Sequence, residues 1–210
     1  MPPQETLAVR YHWVFHGVMI AAIIAAIVMN VLIRSGRRAS HPLADYGALP
    51  NFSLTERSGK PLTQADLLGK IWIADFIFTH CAGPCPLMSA RMAKLQTSLK
   101  ELADVRLVSF TVDPVRDTPS VLAKYADNYG ADPKKWFFLT GEASAIYSLS
   151  TNGFHLAAIE DSDGKNQPDH STRFALVDRK AHLRGYYDGT SEEAIARLIT
   201  DVKQLLRERS

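Results

Sequence analysis

The segment from Ile71 to Pro86 constrains the fold of this chain more than any other part of the sequence. It reads IWIADFIFTHCAGPCP, and its first half is an apolar and aromatic run that follows Gly69 and Lys70. Such a run is typical of a strand that is buried on both faces. The segment ends in Cys81 and Cys85, the only two cysteines in the chain, just before a helical pattern. Open α/β sheets carry their chemistry at the carboxyl ends of strands, so we expect the functional site here.

The composition is that of one packed domain with a short appendage, and it excludes several classes of protein. The chain has 210 residues, of which 46% are hydrophobic and 22% are charged, as in ordinary globular proteins. A net charge of +2 without a basic stripe argues against nucleic-acid binding. Two cysteines are too few for a disulfide scaffold.

A nearly continuous apolar run extends from Trp13 to Ile33. About 20 residues, at about 1.5 Å each, span the hydrocarbon core of a bilayer, so the run predicts a transmembrane helix. A cleaved signal peptide is the alternative, but no small-x-small cleavage site follows Ile33. The sequence therefore predicts four parts: an N-terminal tail (1–12), a transmembrane anchor (13–33), a linker (34–49) and one folded domain (50–210).

Strand-like and helix-like segments alternate through that domain. The segment Leu87–Leu102 has helical spacing, Val105–Val112 reads as a second buried strand, and Thr118 with Pro119 begins another helix. Further on, Ser171–Val177 reads as an apolar strand, and Ser191 caps a final helix. This alternation predicts an α/β sandwich around one central sheet. Met88 and Met92 are interpreted as core residues of the first helix rather than as metal ligands.

Cys81 and Cys85 lie four residues apart at the start of the predicted helix, so one ion can reach both thiols. The positive end of a helix favours thiolates, and hence metal binding or thiol exchange. A third ligand has to come from a histidine, and the candidates are His80, His155, His170 and His182, with His41 in the linker less favoured. His170 follows a polar loop and precedes a strand. His80 is interpreted as an exposed loop imidazole, and His155 and His182 as packing or surface residues.

Three separated motifs resemble the Sco/SenC family of copper-handling proteins. The motifs are Phe78-Thr79-His80-Cys81 with Cys85-Pro86, Thr111-Val112-Asp113-Pro114 with Arg116-Asp117-Thr118-Pro119, and Asp169-His170-Ser171. The resemblance runs from about Phe52 to the C-terminus. It implies a thioredoxin-like three-layer sandwich with a central mixed sheet, preceded by one N-terminal transmembrane helix. One difference is Ala82-Gly83, where the family usually has Pro-Asp, and this leaves partner recognition and redox tuning open.

The resemblance also implies that Cys81, Cys85 and His170 bind copper. Two thiolates and one imidazole form a soft set that suits Cu(I) and tolerates Cu(II). Zinc is the alternative metal, with His80 or water as its fourth ligand. By resemblance, the protein is a membrane-anchored copper-binding metallochaperone that assists assembly of the Cu-A centre of cytochrome c oxidase. The expected partners are the Cu-A-bearing subunit, another copper chaperone and the membrane, with no nucleic acid.

A membrane-tethered thiol–disulfide reductase is the alternative function, with Cys81 and Cys85 acting on cysteines of a partner protein. Thr172 weakens this alternative, since a thioredoxin-type oxidoreductase would carry proline at that point. A peroxidase is disfavoured because the cysteine neighbourhood lacks the T-x-x-C pattern.

Two arguments disagree on the orientation of the chain in the membrane. Arg34, Arg37 and Arg38 follow the apolar run, whereas only Arg10 and the terminal amine precede it. The positive-inside rule would therefore keep the domain in the cytoplasm. The copper chemistry places it outside, since the Cu-A centre lies outside the cytoplasm. The charge difference is small, so we expect an extracytoplasmic domain, on the periplasmic side of a bacterial membrane.

Overall fold

The computed structural model describes residues 16–29, 42–156 and 172–208. The chain forms two compact units, Met1–Pro42 and Leu43–Ser210. In the first unit, residues 16–29 are helical (α1). Within the described ranges, no helix has both the length and the apolarity to cross a membrane. Residues 13–15 and 30–33 of the predicted anchor lie outside those ranges, so the anchor stays a prediction.

The second unit alternates strands and helices, as the sequence predicts. Its elements are β1 (Ser53–Glu56), β2 (Pro61–Thr63), α2 (Gln64–Leu67), β3 (Ile71–Ile77), α3 (Cys85–Ser98), β4 (Val105–Thr111), α4 (Pro119–Asn128), β5 (Trp136–Thr140), α5 (Ala143–Ser148), a π-helical turn (Leu149–Gly153), β6 (Arg173–Val177), β7 (Leu183–Asp188) and α6 (Glu192–Arg207). The predicted polar loop before His170 lies outside the described residues.

The strands form one mixed sheet in the order β2-β1-β5-β4-β3-β6-β7. The central strands β3, β4 and β5 are parallel, whereas β6 runs antiparallel to β3. All residues of β3 are buried, which explains the continuous apolar run in the sequence. Strands β3 and β4 pair in register up to Ile77 and Thr111. The loops that follow these two strands therefore meet at one edge of the sheet.

The two faces of the sheet are covered differently. On one face, Tyr125 of α4 packs edge-on against Phe138 of β5 and hydrogen-bonds Ser89 of α3, so α3 and α4 share a layer. Met88 and Met92 of α3 are fully buried in this layer, as their helical spacing predicts. The opposite face carries a cluster of aromatic rings with centroids 5.2–6.4 Å apart: Phe52, Trp72, Phe76, Phe110 and Phe154.

A buried lysine closes the carboxyl end of α3. Lys135 Nζ donates to the carbonyls of Leu99, Lys100 and Leu102 at 2.6, 3.2 and 3.0 Å. The last carbonyls of a helix have no partner within it, so an ammonium group is a favourable substitute. Helix α3 ends at Ser98, before the predicted Leu102, and Lys135 holds the turn that follows it together with the backbone bonds Leu102 N to Leu99 O and Val105 N to Leu102 O.

The second unit begins with a segment that pairs with the edge strand β7. Three backbone hydrogen bonds of 2.9–3.0 Å join the segment to β7 and to the turn before it: Tyr46 N to Leu183 O, Leu49 N to Ala181 O, and Leu183 N to Gly47 O. Arg184 also donates to the carbonyls of Leu43 and Ala44, and His182 Nδ1 lies 2.9 Å from Asp45 Oδ2. The bonded residues from Leu43 to Leu49 belong to the predicted linker (34–49). The compact unit starts at Leu43, before the predicted domain boundary at residue 50.

Candidate metal centre

The two cysteines lie together at the carboxyl end of β3. Cys81 is in the loop after the strand and is 8% exposed, whereas Cys85 is the first residue of α3 and is fully buried. The two cysteines are not joined in a disulfide, and their side chains lie within hydrogen-bonding reach of each other. The backbone N–H of Gly83 donates to Cys81 Sγ at 3.3 Å. This pair can supply two soft ligands to one metal ion, or form a disulfide.

The ionisation of Cys85 corrects an expectation from the sequence. The positive end of a helix favours a thiolate at its first residue. Burial nevertheless raises the pKa of the Cys85 thiol, and the hydrogen bond with Cys81 and the charge of Asp75 raise it further. Desolvation of a fully buried sulfur outweighs the helix dipole here, so Cys85 is a neutral thiol at neutral pH in the metal-free protein. A bound metal ion has to displace this proton.

A buried carboxylate, Asp117, holds the loop that carries Cys81. Asp117 is fully buried in the loop after β4. It accepts hydrogen bonds from Thr79 N at 3.0 Å, from Thr79 Oγ1 at 2.5 Å and from Thr111 Oγ1 at 2.5 Å. Thr79 lies two residues before Cys81, so this carboxylate ties the cysteine loop to the neighbouring loop of the sheet. The motif that contains Asp117 thus holds the motif that contains Thr79 and Cys81 in place. The separation of the two motifs in the sequence does not reveal this contact.

A second buried carboxylate, Asp75, was not singled out from the sequence. Ser109 Oγ donates to Asp75 Oδ1 at 2.6 Å, and Trp136 Nε1 donates to Ser109 Oγ at 2.9 Å. Asp75 Oδ2 is buried and has no hydrogen-bond partner within the described residues. Burial raises the pKa of Asp75 to about 7, although the Ser109 hydrogen bond opposes the shift. The available signal was a lone acidic residue inside the apolar run IWIADFI.

The loop between the cysteines has room for a larger side chain. A Cβ atom placed on Gly83 would lie 3.7 Å from Cys81 Sγ, an ordinary van der Waals contact. The replacement of the usual Pro-Asp by Ala82-Gly83 is therefore not imposed by crowding at position 83.

The candidate histidines lie in different parts of the fold. His80 is exposed beside Cys81, and its Nδ1 lies 3.1 Å from Thr79 Oγ1. His155 is exposed after the π-helical turn. His182 pairs with Asp45. The predictions that His155 and His182 are surface or packing residues agree with these positions.

The predicted ligand His170 lies outside the described residues, as does His41, so its role stays a prediction. Thr172, two residues after His170, immediately precedes β6. Because β6 runs antiparallel to β3, the start of β6 lies at the same sheet edge as the end of β3. Over the ranges that the structure describes, no group of three or more His, Cys, Asp and Glu side chains is arranged to hold a metal ion.

Known proteins are similar to this chain in sequence and in fold. The SCO1/SenC family model matches residues 43–207. The SCO1 protein homolog of Bacillus subtilis (strain 168) is 38% identical over 170 residues, covering 80% of this chain and 86% of that protein. BsSco, described as a member of the Sco family of cytochrome c oxidase assembly proteins with a disulfide switch, has a similar structure. The two structures match with a TM-score of 0.70 and 35% sequence identity, over 80% of this chain and 97% of BsSco.

A copper-bound structure is also similar. Bradyrhizobium japonicum ScoI with copper bound matches at a TM-score of 0.62 and 27% identity, over 76% of this chain and 99% of that one. Copper is therefore bound by a homologue. The structural likeness confirms the predicted thioredoxin-like α/β fold with a mixed sheet. With a family model that spans nearly the whole second unit and a relative at 38% identity, this chain belongs to the SCO1/SenC family.

Proposed function

We propose that this chain is a membrane-anchored copper-binding metallochaperone that assists assembly of the Cu-A centre of cytochrome c oxidase. Its metal ligands are Cys81, Cys85 and His170, and its domain lies outside the cytoplasm. The observation that carries the proposal is the pair of adjacent thiols at the sheet edge, on a loop held by Asp117. Two thiolates and an imidazole suit Cu(I).

The similar proteins support copper as the cargo and cytochrome c oxidase as the partner. ScoI of Bradyrhizobium japonicum has a copper-bound structure, and BsSco is described within a family of cytochrome c oxidase assembly proteins. The partners of this chain are accordingly the Cu-A-bearing subunit of the oxidase and a second copper chaperone that supplies the metal.

Each residue of the site has a separate task in this function. The Gly83 N–H bond stabilises negative charge on Cys81 Sγ, which a metal-bound thiolate retains. Cys85 is fully buried, so it gives up its proton only in exchange for a cation. The low exposure of both cysteines keeps water from a bound Cu(I) ion. Asp117 keeps Cys81 in place while the ligands exchange.

Copper binding by the reduced full-length protein tests the proposal. We expect about one Cu(I) per chain, since the sequence contains one cysteine pair. Cys81→Ser and Cys85→Ser should each abolish tight binding in a competition titration against a Cu(I) chelator. Met92→Leu removes another buried sulfur from the same helix and should leave the affinity unchanged. Wild-type affinity in either serine variant would contradict the ligand assignment.

A thiol–disulfide reductase is the second candidate function. It is favoured by the adjacency of the thiols and by the disulfide switch described for BsSco. Thiol exchange needs the cysteine pair and no remote imidazole, whereas a third copper ligand is needed to hold the metal. His170 therefore separates the two functions.

His170→Ala should lose most of the copper-induced rise in melting temperature, because copper then binds the native state less tightly. The Cys81–Cys85 disulfide of this variant should still form and be reduced at the wild-type rate. Both properties can be measured on the same preparation, by thermal unfolding with and without Cu(I) and by thiol titration. A variant that bound copper normally but failed in thiol exchange would favour the reductase over the metallochaperone.

A further inference from the structure

His80 lies between Thr79, which Asp117 holds, and the proposed ligand Cys81. Its Nδ1 is 3.1 Å from Thr79 Oγ1, and either atom of this pair is a donor in principle. The hydroxyl hydrogen of Thr79, however, is directed to Asp117 Oδ1 at 2.5 Å. Asp117 receives two further donors, Thr79 N and Thr111 Oγ1, so the carboxylate acts only as an acceptor. Thr79 Oγ1 therefore offers His80 a lone pair and no hydrogen.

The ring of His80 is thereby held in one tautomer. In the neutral imidazole, Nδ1 carries the hydrogen and donates to Thr79 Oγ1, which leaves the lone pair on Nε2. Metal-binding histidines are commonly fixed in this way, with the other ring nitrogen bonded to an acceptor. The side chain is exposed, and the next residue, Cys81, is the less buried of the two cysteines. A metal-binding nitrogen is therefore available on an exposed side chain next to Cys81 in the sequence.

We propose that His80 Nε2 is the outer ligand through which Cu(I) passes to and from Cys81. This step rests on the proposed copper-binding function. A bond between copper and Nε2 forms as a bond to the donor's ligand breaks. Copper–sulfur bonds to Cys81 and then to the buried Cys85 follow, and the thiol protons leave to solvent. Copper remains Cu(I) throughout, and no electron is transferred. Asp117 and Thr79 are positioning residues in this step, and His80 leaves the metal once it is seated.

The tautomer can be tested without copper. In ¹⁵N-histidine-labelled full-length protein at about pH 8, where imidazole is neutral, the His80 signals should show hydrogen on Nδ1. His80→Asn assigns these signals by their loss. Thr79→Val removes the hydroxyl at nearly constant shape, and it should return the ring to the Nε2–H tautomer that an unconstrained histidine side chain favours. Thr79→Ser keeps a hydroxyl and should restore Nδ1–H. An Nε2–H signal in the wild-type protein would overturn the proposal.

Copper exchange tests the transfer step. Under anaerobic conditions, His80→Asn should slow Cu(I) loading and release to a chelator by about tenfold or more, the scale of losses seen when ligand shells are altered. The equilibrium affinity should stay at the wild-type value, since the resting ligands are unchanged. His155→Asn is the matched control, because His155 is also exposed and Asn tolerates its φ of 49°. It should exchange copper at the wild-type rate.

The outcomes separate the two proposals. Wild-type exchange rates in His80→Asn, together with loss of copper in Cys81→Ser, would overturn the role of His80 and leave the copper function standing. Retained copper binding in both Cys81→Ser and Cys85→Ser would overturn the copper function itself, and with it the transfer step.

Discussion

Asp75 is an acidic side chain enclosed within the central strand, with only one of its oxygens hydrogen-bonded in the described structure. Burial raises its pKa from 3.8 to about 7. The unfolded chain therefore loses this proton near pH 4, while the folded chain keeps it until about pH 7. Between these values the folded state binds more protons, so the free energy of unfolding falls as pH rises. The stabilisation is complete below about pH 4 and is lost above about pH 7.

Asp75→Asn keeps the shape of the side chain and removes this titration. We expect the variant to lose the decline in stability between about pH 4 and pH 7 and to be more stable than wild type at pH 8, by an amount on the order of 4 kcal/mol. Urea unfolding of the reduced protein at a series of pH values measures both effects. Asp127→Asn, at an exposed position of α4, should keep the wild-type slope. A wild-type slope in Asp75→Asn would show that Asp75 is not the group responsible.

At the scale of secondary-structure elements, the edge strand β7 depends on a segment outside the predicted domain. Edge strands expose unpaired N–H and C=O groups, which invite pairing with another chain. Here the residues from Leu43 to Leu49 bond to β7 and to the turn before it. Arg184 adds side-chain hydrogen bonds to the carbonyls of this segment. The segment therefore acts as an additional edge for the sheet.

A fragment that starts at Pro50 should be less stable than one that starts at Leu43. The three lost backbone hydrogen bonds contribute about 0.5–1.5 kcal/mol each, so we expect a difference of about 1.5–4.5 kcal/mol in the free energy of unfolding. Chemical denaturation of the two fragments measures it. Asp45→Asn in the longer fragment removes the negative charge that faces His182, while its amide oxygen can still accept from Gly47 N, and it should cost less than about 1 kcal/mol. Equal stability of the two fragments would mean that the segment is dispensable for the fold.

At the scale of the whole molecule, the orientation of the chain depends on which of two signals dominates. Three arginines follow the apolar run and favour a cytoplasmic domain. The proposed role at the Cu-A centre requires the opposite orientation. The difference in positive charge across the run is small, so the proposed orientation is compatible with a statistical rule.

We expect the residues after Arg38 to lie outside the cytoplasm. A reporter fused after Ser210 that is active only in the cytoplasm should be silent, and one that is active only outside should give a signal. The same pair of reporters fused before Met1 should give the reverse pattern, which controls for expression. A bright cytoplasmic signal from the C-terminal fusion would reverse the proposed orientation.

The sequence by itself determined the features that depend on local pattern. The apolar run predicts β3, because a strand buried on both faces has no polar side. The cysteines after it predict the place of the site, and the spacing of Met88 and Met92 predicts that they are core residues. The matching motifs indicate the family. His170 belongs to this group of sequence-based predictions and lies outside the described residues.

Only the tertiary structure decided the contacts between segments that are distant in sequence. Asp117 binds Thr79 across 38 residues, and Asp45 meets His182 across 137 residues. The burial of Cys85, which outweighs the helix dipole, likewise depends on how α3 packs against the sheet. Hydrophobic periodicity indicates whether a residue is buried, but it does not indicate which side chains contact that residue in the core. Those contacts depend on strand order and register, which arise only when the whole sheet forms.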